Sequence, residues 1–306
     1  MLNKKHIIYF KKILPKGFVL SEPGDCWAYG YDNSKIHVLP ECVLFVENKF
    51  QVQDIVIYCN NNNIPIATRG RGTGNTGGSV PTKNSIVLSL EKMQNIVKID
   101  IANRLAIVEP GVINKHLQDS LANHNFFWGP DPSSLEYSTV GGNLANNSAG
   151  PRAIKYGTPR DNVLGLEFIS GNGEIHRTGV KTSKGVVGLD LTRLFVGSEG
   201  ILGILTEATL KITPKSNYIK TIEITFNNIE SASKTIISLM TQPVIPYKLE
   251  FIDEQSIKLI NTIKNNHYDE KTKAAILLEL DGEEELIQII TDKVINIIKK
   301  NKYKSI

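Results

Sequence analysis

The glycines of this 306-residue chain gather in four short stretches, at 70–78, 141–150, 165–173 and 197–203. Because glycine has no Cβ, such a cluster marks backbone that turns sharply or lies close against a neighbour. This pattern constrains the fold more than the composition does, since several loops that are far apart in sequence must each make a close approach. The fold must therefore offer those loops a shared surface or several tight turns.

The composition is that of a folded globular protein without a strong charge bias. Hydrophobic residues make up 41% and charged residues 22%, with a net charge of +4, which excludes collagenous, disordered and mucin-like chains and disfavours nucleic acid as a partner. Cys26, Cys42 and Cys59 form no CxxC pair, as suits a reducing compartment. No apolar run approaches the ~20 residues of a membrane span, and the apolar start of the chain is too short for a signal peptide. We expect a cytoplasmic protein with no integral membrane span, which is compatible with peripheral association at the inner membrane through partners.

Hydrophobic periodicity predicts two regions that differ on either side of Pro214. The first is rich in glycine and short strands, and the second alternates strands with helices and contains few glycines. The predicted strands are 43–46, 64–68, 85–90, 96–100, 105–109, 164–170, 174–178, 204–212, 218–226, 247–252 and 275–280. The predicted helices are 50–59, 112–123, 229–240, 254–264 and 283–300, besides a short amphipathic helix at the N-terminus. We place a domain boundary near residue 215.

The first glycine stretch lies between two predicted strands and is typical of a phosphate-binding loop. A dinucleotide-binding Rossmann turn needs a helix that starts inside the glycine run, whereas here Ser79–Asn84 contains Pro81 and leads into a strand. Backbone N–H groups without Cβ obstruction form a concave anion site, to which arginine and hydroxyl groups add donors. The alternative is a surface turn alone. The candidate residues are Arg69, Gly70, Arg71, Gly72, Thr73, Gly74, Asn75, Thr76, Gly77 and Gly78.

Two further stretches combine glycines with hydroxyl and amide side chains. Each alone is a turn, but together they form a second surface of the kind that a cofactor with a phosphate end and an aromatic end requires. The stretch at 197–204 precedes a predicted strand and would close over the same ligand. The candidate residues are Pro130, Asp131, Ser133, Ser134, Ser138, Thr139, Gly141, Gly142, Asn143, Ala149 and Gly150, followed by Glu199, Gly200, Gly203 and Ile204.

In order along the chain, RGRGTGNTGGSVP, PDPSS, STVGGN, KYGTPRDNVLGLE, LTRLFVGSEGILGI and TEATLKITPK resemble the glycolate oxidase/D-lactate dehydrogenase family of FAD-linked oxidoreductases. The resemblance begins near AYGYDNS at 28–34, runs to about Pro214 and continues into YKLEFIDEQSIKL at 247–259. It implies an α+β fold, with a two-subdomain FAD-binding domain of the vanillyl-alcohol-oxidase (PCMH) type and an incomplete ferredoxin-like substrate domain. We therefore expect an N-terminal helix and lead-in at 1–37, the FAD-binding domain at 38–215 and a partial substrate domain at 216–306.

The resemblance also implies the chemistry. The loop at 69–78 would hold the pyrophosphate of FAD, the stretches 130–134 and 138–143 would follow its ribityl and isoalloxazine parts, and 146–150 and 197–204 would complete the pocket. Members of this family transfer a hydride from the hydroxyl-bearing carbon of a 2-hydroxy acid to flavin N5, which leaves a 2-oxo acid. The expected partners are a small-molecule 2-hydroxy acid and either a complementary oxidase polypeptide or an iron–sulfur electron-transfer subunit.

Two departures from the family pattern bear on the site. Ala149 stands where glycine is usual, which would be costly if that position needs a positive φ or close flavin contact. The histidine-rich His-x-Gly-Asp-Gly-Asn segment of the family's substrate domain is missing from this chain, and its six histidines are scattered. We therefore predict no catalytic residue and no metal site, and expect apolar surface in the last domain that is uncovered or is covered by another polypeptide.

Two other functions remain open from the sequence. The first is a non-catalytic FAD-binding subunit, or a truncated remnant of a split oxidase. The second is a flavoenzyme similar to UDP-N-acetylenolpyruvoylglucosamine reductase, which shares the flavin-domain architecture. The motifs RGRGTGNTGG and GSEGILGI and the EFID stretch favour the hydroxyacid oxidoreductase.

Overall fold

A computed structural model describes residues 2–182, 184–264 and 267–306, and these divide into two compact units. The first unit comprises the residues up to Gly150 together with Thr158–Pro214. The second comprises Pro151–Gly157 and Lys215–Ile306. The short segment 151–157 thus leaves the first unit and groups with the second. The mixture of helices and sheets confirms the predicted α+β class.

Regular structure occupies most of both units. The helices are α1 Lys4–Ile13, α2 Pro23–Cys26, α3 Lys49–Asn61, α4 Asn114–Ala122, α5 Val140–Asn146, α6 Ala153–Tyr156, α7 Leu191–Phe195, α8 Ile229–Met240, α9 Glu254–Ile263 and α10 Glu284–Ile298. The strands are β1 Val19–Leu20, β2 Cys42–Phe45, β3 Ile66–Arg69, β4 Ile86–Ser89, β5 Ile96–Asp100, β6 Leu105–Val108, β7 Phe126–Trp128, β8 Val163–Ile169, β9 Ile175–Gly179, β10 Ile204–Pro214, β11 Tyr218–Phe226, β12 Lys248–Asp253 and β13 Ala274–Gly282. Among the residues described, no helix is both long and apolar enough to cross a membrane.

The first sheet of the first unit has the strand order β1-β2-β4-β3, with β2 and β3 both parallel to β4. Helix α3 begins at Asn48, whose side chain accepts hydrogen bonds from two backbone N–H groups of the first turn, a normal N-cap. Its apolar face packs with Phe10 of α1 and with the inner residues of the strands in one buried cluster. Parallel neighbours require a crossover connection, and between β3 and β4 that connection is the glycine-rich segment 70–85.

The second sheet of this unit is antiparallel, with the order β5-β6-β10-β8-β9 and with β7 paired to the end of β10. Helices α4 and α5 bury Leu117, Leu121 and Leu144 in the same cluster as Trp128. The indole N–H of the fully buried Trp128 donates to the carbonyl of Asn162 at 3.0 Å. Helix α5 differs from the sequence interpretation, which treated its two glycines as part of a turn.

A buried carboxylate links the elements of the two sheets. Glu167 of β8 is 4% exposed and accepts hydrogen bonds from Lys49 at 2.9 Å and from Arg177 at 2.8 Å. Its other oxygen accepts from the hydroxyl of Thr206 on β10 at 3.0 Å. This network joins helix α3, which packs on the first sheet, to strands β8, β9 and β10 of the second sheet.

The second unit is a three-stranded antiparallel sheet of order β11-β13-β12 with helices on it. Helices α8 and α10 cover one face through a cluster that includes Phe226, Leu278 and Val294. On β13 the buried Asp281 accepts hydrogen bonds from the Tyr156 hydroxyl at 2.5 Å and from the Lys155 ammonium group. These contacts hold α6 within the second unit, although α6 lies far away in sequence.

Candidate functional site

The glycine loop, residues 70–79, leaves β3 and lies against the start of α5. Gly72 and Gly77 have φ angles of +65° and +83°, which favour glycine because other residues are strained there. A Cβ on Gly70 would lie only 2.4 Å from Oγ1 of Thr139, the N-cap residue of α5. The loop can approach the helix this closely only because residue 70 has no side chain.

The start of α5 is itself packed against backbone. Oγ1 of Thr139 accepts a hydrogen bond from the N–H of Gly142 at 3.2 Å, and a Cβ on Gly141 would lie 2.6 Å from Cβ of Pro110. Asn143 is buried, and its Oδ1 accepts from Nδ2 of Asn114 at 2.8 Å. These contacts set the position of the Gly141–Gly142 backbone, which faces the glycine loop across a cavity.

The segment 197–203 lies against the other end of α5. The N–H groups of Gly197 and Glu199 donate to carbonyls of α5, those of Leu144 and Ala145, at 2.9 and 2.8 Å. Glu199 has a φ of 53°, an uncommon conformation for a residue with a side chain that often marks a functional segment. Its carboxylate points toward the glycine loop, since Oε2 would lie 3.2 Å from a Cβ on Gly78.

These three segments, all in the first unit, enclose two adjoining cavities. The first is the more enclosed, with a volume of about 110 Å³, and the second is open, with a volume of about 1030 Å³. They adjoin because Arg71, Gly72, Thr73, Gly74, Ser134, Asn146, Ser148 and Glu199 line both. The room available suits a large ligand rather than a metal ion or a small metabolite.

The structure brings most of the candidate residues together around these cavities. Those that line one or both are Gly70, Arg71, Gly72, Thr73, Gly74, Asn75, Thr76, Gly78, Ser133, Ser134, Thr139, Gly141, Gly142, Asn143, Ala149, Glu199, Gly200 and Gly203. Loops separated by more than a hundred residues therefore share one surface, as the separate glycine clusters required.

The other candidates, Arg69, Gly77, Pro130, Asp131, Ser138, Gly150 and Ile204, do not line these two cavities. Several of them lie behind the walls. The guanidinium of Arg69 donates to the carbonyl of Tyr31 at 2.6 Å, and a Cβ on Gly150 would lie 2.0 Å from the carbonyl oxygen of Asp131. Such residues hold the loops in place, which is a role that a motif alone does not distinguish from ligand contact.

Ala149 lines the second cavity without backbone strain. Its φ is not among the positive values found for Asn147 and Glu199 nearby. The cost that a Cβ would carry at a left-handed position therefore does not arise here.

Several cavity residues were absent from the sequence candidates. The polar ones include Asp32, Asn33, Thr68, Ser79, His116 and Glu136, and the apolar ones include Leu90, Pro110 and Leu205. Asp32 and Asn33 belong to the AYGYDNS stretch, which carried the resemblance but offered no local signal of ligand contact. Ser79 has a buried Oγ with no hydrogen-bond partner, and so does Asp32 at its Oδ2.

Two arginines give the glycine loop a positive charge. Arg71 is half-exposed, lines both cavities and lies 3.9 Å from Glu91. Arg69 is buried, and burial lowers the pKa of its guanidinium, an effect that the charge of Asp32 opposes. Since arginine stays protonated in proteins, Arg71 makes the cavity wall attractive to an anion, whereas the charge of Arg69 lies behind the wall. Within the described parts of the chain, no group of three or more His, Cys, Asp or Glu residues is arranged to hold a metal ion.

Two family models match this chain. The model described as "FAD binding domain" matches residues 40–179, and the model described as "FAD linked oxidases, C-terminal domain" matches residues 215–304. The first match contains the glycine loop and most of the cavity residues. The second match begins at Lys215, the residue at which the chain returns to the second unit.

Curated relatives match most of the chain. It is 39% identical over 287 residues to glycolate oxidase subunit GlcD of Bacillus subtilis, with 94% of this chain and 61% of that protein covered. It is 36% identical over 256 residues to a D-lactate dehydrogenase of Archaeoglobus fulgidus, with 82% of this chain and 57% of that protein covered. This chain therefore spans about 60% of the length of these relatives.

Solved structures show the same fold. An alkyldihydroxyacetonephosphate synthase superposes with a TM-score of 0.84 over 99% of this chain and 60% of that one, at 19% sequence identity. At that identity the likeness concerns the fold alone.

Proposed function

Since this chain belongs to the glycolate oxidase/D-lactate dehydrogenase family of FAD-linked oxidoreductases, we propose that it oxidises a 2-hydroxy acid of the glycolate or D-lactate class to the 2-oxo acid. The observation that carries the proposal is the meeting of three glycine segments, remote in sequence, around two adjoining cavities inside the matched FAD-binding domain. The domain limits proposed here are 1–37 for the lead-in, 38–215 for the FAD-binding domain and 216–306 for the part of the substrate domain in this chain.

The residues present suit FAD on structural grounds. Glycine positions such as Gly70 and Gly141 leave no room for a Cβ, so part of the cavity wall is backbone without side chains, a surface of the kind that binds anions. The buried Oγ of Ser79 and Oδ2 of Asp32 line the first cavity without partners, and buried polar atoms are normally hydrogen-bonded. A polar ligand that reaches both cavities would supply those partners.

We assign the parts of the wall to the parts of the cofactor by their chemistry. The glycine loop, with Arg71 beside it, would hold the pyrophosphate. The apolar side chains of Leu90, Pro110 and Leu205 in the first cavity offer a surface to an aromatic ring, next to the exposed backbone of Gly141 and Gly142. When bound, FAD supplies the hydride-accepting chemistry, and the protein supplies binding and orientation.

The polypeptide's own contribution is to hold this surface in a fixed geometry. The Asn114–Asn143 hydrogen bond and the cap by Thr139 fix the start of α5, while Arg69 fixes the beginning of the glycine loop from behind. The histidine and carboxylate side chains that line the second cavity, His116, Glu136 and Glu199, are all exposed. We assign none of them a catalytic role.

A second candidate function is that of a non-catalytic FAD-binding subunit. It is favoured by the name of the Bacillus subtilis relative, which describes that protein as a subunit. In this proposal a complementary oxidase polypeptide would supply the base that accepts the hydroxyl proton, a group worth about 10²- to 10⁴-fold in rate. An iron–sulfur subunit would take up the electrons.

We place the protein in the cytoplasm, where its three free, buried cysteines would stay reduced.

Anaerobic reduction of the FAD-loaded chain tests the first proposal against the second. D-lactate or glycolate should bleach the flavin absorbance, whereas 2-hydroxyisobutyrate, which has no hydrogen on its hydroxyl-bearing carbon, should leave it unchanged. FAD that stays oxidised with both substrates would contradict the oxidase proposal and support the non-catalytic subunit. Reduction by NADPH instead would favour an enzyme similar to UDP-N-acetylenolpyruvoylglucosamine reductase.

A further inference from the structure

Asp32 carries a buried carboxylate oxygen with no partner. The residue is 3% exposed, and its Oδ1 accepts a hydrogen bond from the N–H of Ser34 at 2.9 Å, whereas its Oδ2 accepts none. A buried acceptor that has left water without gaining a hydrogen bond is costly. The local turn therefore accounts for Oδ1, whereas Oδ2 has the nearby charge of Arg69 but no hydrogen bond.

The second oxygen lies beside the glycine loop, in the wall of the first cavity. Asp32 lines the first cavity together with Gly72 and Gly74, and its Oδ2 would lie 3.8 Å from a Cβ placed on Gly74. The turn that carries Asp32 is tied to the glycine loop, because the N–H of Asn33 donates to the carbonyl of Gly74 at 2.9 Å. On the other side of Asp32, the carbonyl of Tyr31 accepts from Arg69. Both neighbours of Asp32 are thus anchored, and the carboxylate is held in place beside the loop.

The chemistry of a carboxylate restricts what it can meet there. An ionised carboxylate only accepts hydrogen bonds, so its partner must be a donor, and a phosphate oxygen would be repelled. In FAD the pyrophosphate is joined on both sides to chains that carry hydroxyl groups, the ribose of the adenosine half and the ribityl chain of the flavin half. A carboxylate beside a pyrophosphate loop therefore meets a sugar hydroxyl on one side or the other.

We propose that Oδ2 of Asp32 accepts a hydrogen bond from a sugar hydroxyl of FAD, and that this residue is part of the cofactor site. The proposal rests on the FAD site of the proposed function but is independent of which substrate is oxidised. It adds a contact from a segment about forty residues before the glycine loop, outside the three glycine segments.

The test is Asp32→Asn, which separates the two carboxylate oxygens. The amide oxygen can still accept from the N–H of Ser34, which leaves the NH₂ group at the position of Oδ2, where it faces the ligand as a donor. We expect the dissociation constant for FAD, measured by flavin fluorescence, to rise roughly 10- to 100-fold, as for loss of a hydrogen bond to a charged group. The apo protein should unfold at a urea concentration close to that of the wild type, since a neutral amide is less costly to bury but the buried guanidinium of Arg69 loses a nearby negative charge.

The control is Ser34→Ala, in the same turn but outside both cavities, which should leave FAD affinity within about twofold. Should Asp32→Asn fail to fold, Asp32→Ser retains an acceptor for the turn and lacks the second oxygen. It should show the same loss of FAD affinity. Unchanged or tighter FAD binding in the folded variant would overturn the proposal, because a purely structural or repulsive carboxylate gives that result. Failure of the wild type to bind FAD would overturn it as well.

Competition with ADP and with FMN identifies the hydroxyl. If the ribose is the donor, Asp32→Asn should raise the inhibition constant of ADP, calculated with each protein's own dissociation constant for FAD, and leave that of FMN unchanged. If the ribityl chain is the donor, the reverse should hold. Loss of FAD affinity with both competitors unaffected would contradict the assignment to a sugar hydroxyl. Since these are equilibrium measurements, a chain that binds FAD but oxidises no hydroxy acid still gives a decisive result.

Discussion

Gly150 has no room for a Cβ, whereas the adjacent Ala149 carries one without strain. A Cβ on Gly150 would lie 2.0 Å from the carbonyl oxygen of Asp131 and 2.3 Å from its carbonyl carbon. Backbone atoms cannot move aside as a flexible side chain can, so the two loops would have to separate. Ala149 already carries a Cβ and has no positive φ. The packing of this loop therefore depends on glycine at 150 and not at 149.

We expect Gly150→Ala to lower the free energy of unfolding by about 1–3 kcal/mol, the usual cost of overpacking. It should also weaken FAD binding, because Asp131 directly precedes Pro132 and Ser133, which line the second cavity. Urea unfolding and FAD titration measure the two effects. A stability equal to that of the wild type would contradict the close approach of the two loops.

The matched variant is Ala149→Gly, which restores the residue usual in the family. Since residue 149 adopts an ordinary backbone conformation, the extra freedom of glycine in the unfolded chain should destabilise the protein by about 0.4–1 kcal/mol. A gain in stability, measured in the same urea experiment, would show that the alanine is strained.

Residue types along the chain predicted much of the cavity wall but not the part that Asp32 contributes. The glycine clusters predicted positions of close approach, and Gly70 lies against the side chain of Thr139 while Gly141 lies against Pro110. Asp32 could not be found in this way, because its place beside Gly74 depends on the pairing of two segments that are distant in sequence. Arg69 shows the converse, since a loop arginine next to glycines points to ligand binding, yet it lies buried behind the loop.

Among the elements, the strand–loop–strand unit β3–loop–β4 was predictable, and helix α5 was not. Pro81 after the glycine run argued against a helix there, and the structure has none between β3 and β4. Gly141 and Gly142 have poor helix propensity, so the sequence favoured a turn at 138–143. The N-cap by Thr139 and the burial of Val140 and Leu144 outweigh that propensity, since packing overrides it.

The Glu167 network offers a test of how α3 and the strands β8–β10 are held together. In Glu167→Gln the carboxylate is lost, and Lys49 and Arg177 each lose a charged partner. Both can turn to solvent, with side chains 31% and 66% exposed, so the loss should be about 1–3 kcal/mol of unfolding free energy. The control Glu174→Gln, on an exposed side chain, should change stability by less than about 0.5 kcal/mol. Equal effects of the two variants would contradict a role for this network in stability.

The same network sets a pH dependence. Burial alone would raise the pKa of Glu167, but hydrogen bonds from Lys49, Arg177 and Thr206 outweigh it and hold the pKa below its usual value. A carboxyl whose pKa is lower in the folded than in the unfolded state contributes stability above its unfolded pKa, about 4.3 for glutamate. That stability is lost as pH falls through the folded pKa. The stability gap between wild type and Glu167→Gln should therefore be full at pH 7 and shrink below about pH 4. A gap that widens on acidification would contradict this sign.

At the scale of the whole molecule, local pattern predicted two regions with different periodicity on either side of Pro214. It did not predict that the segment 151–157 groups with the second unit, where Tyr156 and Lys155 contact Asp281. The bonds join residues 125 and 126 positions apart, and no periodicity within a short window can reveal them. Burial and the hydrogen bond to Asp281 both raise the pKa of Tyr156, so this hydroxyl stays a donor at neutral pH.

The central claim is that the glycine-walled cavities of this chain bind FAD. Titration of FAD onto the purified apo chain, followed by flavin fluorescence and absorbance, tests it most directly. We predict one FAD per chain, with a dissociation constant in the micromolar range or below and a bound-flavin spectrum, and a rise in the urea midpoint as the ligand stabilises the folded state. No spectral change and no stabilisation at FAD concentrations well above micromolar would contradict the account.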